Sequence, residues 1–226
     1  MKNPLLLIFI VMAGLCTAQE VHLSKVEKVH DNTDRFLYRI DETRNAEYLG
    51  EVEIKGFSAD DAAVFSEAYK KAKEIGANAW AWKPFEKIDG SIQDLDPAHY
   101  RLALYYLPKN GFSGQSGSIY LFASSENNQK IRVNGKDYTV SPRSYLQLKT
   151  DPGEVYTIST RKLLGSTIKI QPKQNGSNQY FQISSARIKS DDTGAGGLNL
   201  KSGDIIGLEK SYAEFLSIIY HQQKAE

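Results

Sequence analysis

An α+β fold is predicted for this chain: a β-α-β-β layer, then a small antiparallel β-sandwich, then a closing amphipathic helix. Three observations predict it. A single helical period occurs in the first half, over residues 58–76. Strict apolar/polar alternation stands before and after it. Beyond residue 118 that period vanishes, and short β-branched and aromatic runs follow one another between turn residues.

Residues 19–33, "QEVHLSKVEKVHDNT", read as a polar lead-in. "RFLYRI" (35–40) is strand-like, and "DETRN" carries turn formers. In "AEYLGEVEIKGF", Val52 and Ile54 share one face while Glu51, Glu53 and Lys55 share the other, the pattern of a strand with one buried face. The helix opens on Ser58 as cap, with Asp61 favourable at its positive end. Phe65, Ala68, Tyr69, Ala72 and Ile75 form its apolar stripe, and Gly76 ends it. "NAWAWKPF" then places Ala79 and Ala81 on one face, Trp80 and Trp82 on the other, with the small alanines expected beneath the helix. "HYRLALYYL" alternates Tyr100, Leu102, Leu104 and Tyr106 against His99, Arg101, Ala103 and Tyr105.

Residues 19–107 are thus expected to form the α+β domain, 108–118 a linker, and 119–226 the sandwich with its C-terminal helix. The second half has turn chemistry to match: Asn134-Gly135 for a tight hairpin, Asp151-Pro152-Gly153 and Asn175-Gly176 for reversals. "KSDDTGAGG" reads as a loop and "LNLKSGDIIGL" as a last strand. Tyr212, Phe215, Leu216 and Ile219 make the closing helix amphipathic, suited to docking on the protein's own sheet or on a partner.

The first eighteen residues combine Lys2, an uncharged apolar run from Leu5 to Leu15, and the small residues Cys16-Thr17-Ala18. This predicts a secretory signal peptide cut before Gln19, and an exported protein, periplasmic or secreted, with no transmembrane segment. Lipidation at Cys16 is disfavoured by bulky Leu15 beside it. Cys16 is the chain's one cysteine, so the mature protein has neither disulfide nor thiol chemistry. Removing Lys2 leaves 27 basic residues against 27 acidic ones. With no basic surplus, nucleic acid is not the expected partner.

The strand "EYLGEVEIKGF", the capped helix and the exit "GANAWAW" together resemble small domains of bacterial envelope lipoproteins, including the sensor lipoprotein of the Rcs stress system. That sensor depends on disulfides, which this chain lacks after residue 18. "IYLF", "IRVNG" and "SYLQLKTDPGEVYTIST" resemble PEGA-type β-sandwich modules of exported bacterial proteins. The resemblances imply an envelope or secreted protein that binds or scaffolds, and they supply no catalytic residues.

Catalytic motifs are absent from the sequence: no phosphate-binding loop, dinucleotide fingerprint or His-Glu-x-x-His occurs. Gly114-Gln115-Ser116-Gly117-Ser118 has the letters of a nucleophile elbow but lies in a linker. Asp94, Asp96 and His99 are the best local metal-ligating set, set against the ordinary turn chemistry of Asp96-Pro97. Asp191 and Asp192 lack calcium-loop spacing. No cofactor is implied. The candidate binding residues are Trp80, Trp82, Tyr100 and Tyr106, which form a domain interface, an intradomain contact, or a platform for a protein or glycan partner. The expected function is non-enzymatic binding or scaffolding. The rival is a secreted enzyme or accessory protein acting on polysaccharide, which requires two carboxylates across a cleft. The oligomeric state is not legible.

Overall fold

The computed structural model describes residues 19–108, 117–160, 165–173, 176–184, 201–202 and 204–224. The expected signal peptide with Cys16, the serine of the elbow-like Gly114–Ser118 motif, the expected loop at 189–197 with Asp191 and Asp192, and most of the 108–118 segment lie outside these residues. Among the described residues there are two helices and three β-sheets, an α+β arrangement dominated by strands. No helix among them is long and apolar enough to cross a membrane.

The first sheet contains β1 (Glu20–Val26), β2 (Tyr38–Arg39), β3 (Glu47–Lys55), β4 (Ala79–Trp82) and β5 (His99–Tyr106), in the order β1-β3-β5-β4-β2. Residues 20–26, expected as a lead-in, are thus an edge strand paired antiparallel with β3. Only Val21 and Leu23 turn inward, so the segment reads as polar. Val52 and Ile54 are buried, and Glu53 lies on the outer face.

Helix α1 (Asp61–Glu74) is capped by Asp60, whose carboxylate accepts from Ala63 N at 3.0 Å, rather than by Ser58. Ser58 instead accepts from Asp60 N and braces the cap. The helix buries Val64, Ala68 and Ala72 and stops at Gly76, which has φ +76°. A Cβ there would stand 1.7 Å from the His30 carbonyl oxygen, so both conformation and space require glycine. Asn78 follows, fully buried: its Nδ2 donates to Leu107 O at 2.8 Å and its Oδ1 accepts from Leu107 N at 2.7 Å. The Gly-Ala-Asn-Ala exit therefore has a physical reading, in which glycine turns the chain and asparagine pairs with the end of β5 as another strand would. Asn78→Ala is expected to cost about 2–4 kcal/mol, since it strands two buried backbone groups. The urea midpoint, at unchanged m, is the check.

The second sheet runs β11-β10-β7-β8, from β7 (Gln129–Val133), β8 (Lys136–Val140), β10 (Tyr156–Thr160) and β11 (Thr167–Ile170). Asn134 and Gly135 both have positive φ, as the tight β7–β8 hairpin requires. The third sheet runs β13-β14-β12-β6-β9-β15, from β6 (Ser118–Phe122), β9 (Ser144–Lys149), β12 (Gln179–Ile183), β13 (Lys201–Ser202), β14 (Ile205–Gly207) and β15 (His221–Gln223). It is mixed and not antiparallel throughout, because β12 is parallel to β6 and β15 to β9. Ile119, Leu121, Leu146 and Ile183 of this sheet share a core with Ile131, Val140 and Ile158 of the second.

The third sheet's opposite face joins a different core. Phe122, Tyr145 and Tyr180 cluster there with residues of the first sheet, with α1, and with Phe215, Leu216 and Ile219 of helix α2 (Lys210–Ile219). This one core takes residues from either side of the 108–118 segment. Helix α2 also closes the open edge of β2: Ser211 Oγ accepts from Leu37 N at 3.1 Å.

Candidate functional site

Of the sequence-predicted binding residues, Trp80 and Tyr100 are inside the core, with 0% and 2% exposure. The expected orientation of β4 is reversed. It is Trp80, and not the alanine face, that meets the helices: its ring lies 6.0 Å from Phe65 of α1 and 5.5 Å from Phe215 of α2. Alternation puts both tryptophans on one face but does not say which face a helix covers. The alanines face the other way, and Ala81 lies opposite Ala103, where small side chains leave room for Glu51. That carboxylate, 4% exposed, gathers Tyr48 Oη at 2.5 Å, Lys83 Nζ at 2.5 Å and Arg101 Nη1 at 3.3 Å. Burial works to raise the Glu51 carboxyl, but these partners prevail and hold it below its ordinary value. Trp82, at the strand end, is 39% exposed, and Tyr106 stacks on His30 at 3.6 Å. The four aromatics therefore do not assemble one surface.

Asp94, Asp96 and His99 do not converge either. His99 Nε2 lies 2.6 Å from Glu53 Oε1, while Asp96 Oδ1 accepts from Ala98 N in a local turn. Asp94 is exposed. Among the described residues no three His, Cys, Asp or Glu side chains gather as a metal site.

The arrangement with the most recognition chemistry lies between the third sheet and the β2–α2 pair. Tyr120 of β6 stands directly opposite Tyr180 of β12 and Gln147 of β9, and Tyr145 stands opposite Gln222 of β15. The pleat sends all five to the face away from the sandwich core. Ring centroids of Tyr120 lie 5.1 Å from Tyr180 and 6.0 Å from Tyr145, a row of three tyrosines across three strands. Glu214 and Ser217, three apart on α2, and Arg39 and Asp41 from β2 and just beyond it, line the opposing side. Together they enclose a cavity of about 220 Å³ whose accessible wall is mainly polar.

Its charged groups have defined partners. Arg39 donates to Asp41 through Nε at 3.0 Å and to Ser217 O through Nη1 at 2.6 Å. Burial pulls this guanidinium down, but Asp41 and Tyr145 overcome that and hold it up. Tyr180 Oη donates to Glu214 Oε1 at 2.5 Å. Burial raises the Glu214 carboxyl above its ordinary value of 4.5, against the opposing pull of Tyr180, Lys210 and Arg39. Burial and the Glu214 charge also push the Tyr120 phenol up to about 12, so it stays neutral and can donate. The amides form a directed chain: Tyr145 Oη to Gln222 Oε1 at 3.4 Å, Gln222 Nε2 to Gln147 Oε1 at 3.1 Å, and Gln147 Nε2 to Ser118 Oγ at 3.4 Å.

A raised folded pKa means that Glu214 binds its proton more tightly folded than unfolded. Its contribution to stability therefore falls as pH rises from 4.5 through the folded value. Glu214→Gln removes that dependence. The variant's Tm relative to the parent is expected to be higher at about pH 8 than at about pH 4, and an equal difference at both contradicts the assignment.

Fold and site together define a strand-rich α+β protein with a polar, tyrosine-lined cavity between its two halves. Compared with protein-family models, with curated proteins and with solved structures, the chain matches none of them.

Proposed function

We propose that the protein is a non-enzymatic, exported binding module of the bacterial envelope, and that its ligand is a small polar molecule held in this cavity. The observation that carries the reading is the convergence of Tyr120, Gln147, Gln222, Arg39 and Glu214, from elements far apart in the chain, on one polar concavity. A few convergent polar groups in a concave site are the usual marks of ligand recognition. The signal-peptide pattern of residues 1–18 and the resemblance to envelope lipoprotein domains support export.

Polysaccharide hydrolysis is the weaker reading. Asp41 and Glu214 both line the cavity, but each carboxylate already holds a structural partner: Arg39 for the first, Tyr180 for the second. A catalytic acid and base need freedom to exchange protons with substrate.

A thermal-shift screen of small polar compounds on the secreted protein tests the binding reading. A ligand at a hundred times its Kd adds about 2.7 kcal/mol of stability. The shift is expected with the parent and lost in Gln222→Leu. A hit equally stabilising in both binds elsewhere and counts against the cavity.

A further inference from the structure

Resting on the reading of this cavity as the binding site, we propose that it takes a neutral polyhydroxylated ligand, a single sugar unit at the end of a glycan. Charge comes first. Arg39 contributes one positive charge, Asp41 and Glu214 two negative ones, so the lining opposes an anion. Both carboxylates are already engaged, Asp41 by Arg39 and Glu214 by Tyr180, so an incoming ammonium would have to displace one of these partners and would also meet the Arg39 guanidinium, held by its bonds to Asp41 and Ser217. A neutral ligand meets neither penalty.

Hydrogen-bonding capacity comes next. A sugar hydroxyl both donates and accepts, and the wall offers acceptors at the carboxylates and donors at Arg39 and the amides. The 3.4 Å contacts made by Tyr145 with Gln222 and by Gln147 with Ser118 are at the long limit for hydrogen bonds, so ligand hydroxyls can replace them at little cost. Tyr120 is the half-buried member of the tyrosine row, and its hydroxyl makes no hydrogen bond with another described residue. Size agrees. A volume of about 220 Å³ equals roughly seven waters at about 30 Å³ each, smaller than sites for drug-sized ligands.

The test is NMR titration of the secreted protein, following tyrosine ring resonances, with glucose and N-acetylglucosamine as neutral probes and sodium phosphate and lysine as charged ones. A neutral sugar is expected to shift the Tyr120 ring signals, and Gln147→Leu and Tyr120→Phe are each expected to weaken binding at least tenfold while keeping the parent spectrum elsewhere. Binding of a charged probe and of neither sugar overturns the sugar assignment but leaves the cavity as a site. Sugar binding indifferent to both variants places the sugar elsewhere and overturns the proposal. Tyrosine signals that respond to none of the four probes overturn both the sugar assignment and the reading on which it rests.

Discussion

Asp61→Ala is expected to destabilise the protein by about 3–5 kcal/mol, a large part of the stability of an ordinary domain. Asp61 occupies the first turn of α1 and is 5% exposed. Arg143, in the turn between β8 and β9, reaches it through Nη2 at 2.8 Å and Nη1 at 3.2 Å, and Tyr220, just after α2, donates to the same carboxylate at 2.7 Å. Three segments distant in sequence thus meet at one buried charge. Arg143 has φ +50°, an uncommon conformation for a residue with a side chain, and its guanidinium lies 5.1 Å from the centre of the Tyr220 ring. Removing Asp61 leaves that guanidinium buried without its counter-charge, which accounts for the size of the loss. The double variant Asp61→Leu/Arg143→Met removes both charges and is expected to recover most of it. Chemical denaturation of the parent, Asp61→Ala and the double variant measures this, and an additive loss in the double variant contradicts the account.

Trp80→Ala is expected to cost a similar amount, about 3–5 kcal/mol, by opening a cavity at the centre of the first core. Trp80 holds together β4, α1 and α2 through Phe65 and Phe215, whose rings are themselves 5.7 Å apart. Its Nε1 has no hydrogen-bond partner among the described residues, so the loss is one of packing alone. Trp80→Phe therefore retains a substantial part of the stability. Trp82→Ala, at the half-open strand end, is expected to cost only about 1 kcal/mol. Equal costs at the two tryptophans would contradict the burial that separates them.

Local patterns were readable where one segment settles the matter. The alternation of β3 and the small residues of α1 show in sequence which side chains are buried, as Val52, Ile54, Ala68 and Ala72 illustrate. The turn at Asn134-Gly135 is likewise written in two residues. Of the first sheet's two edge strands, β2 was readable in the strand-like run "RFLYRI", although only Tyr38–Arg39 pair, whereas β1 was not, because it turns too few apolar side chains inward. The direction of Trp80 depended on which face of β4 the helices cover, a tertiary fact. The cavity was hidden for the same reason. Tyr120, Tyr145 and Tyr180 each lie in an ordinary aromatic strand run, and they form a row only because β6 takes β12 as a parallel neighbour on one side and β9 on the other. Glu214 was concealed within an amphipathic helix, where Tyr180 of a distant strand gives it a polar partner. A recurrent tyrosine at one parity of successive strand runs was the signal available, but strand order is needed to use it.

Helices α1 and α2 close over the tryptophan face of β4, leaving the cavity beside Tyr120 as the proposed recognition site. Tryptophan fluorescence of the Trp82→Phe variant, in which Trp80 alone emits, tests that closure most directly. Blue-shifted emission that iodide does not quench is the predicted result. Red-shifted, readily quenched emission would contradict it and return the tryptophan face to solvent as the surface available to a partner.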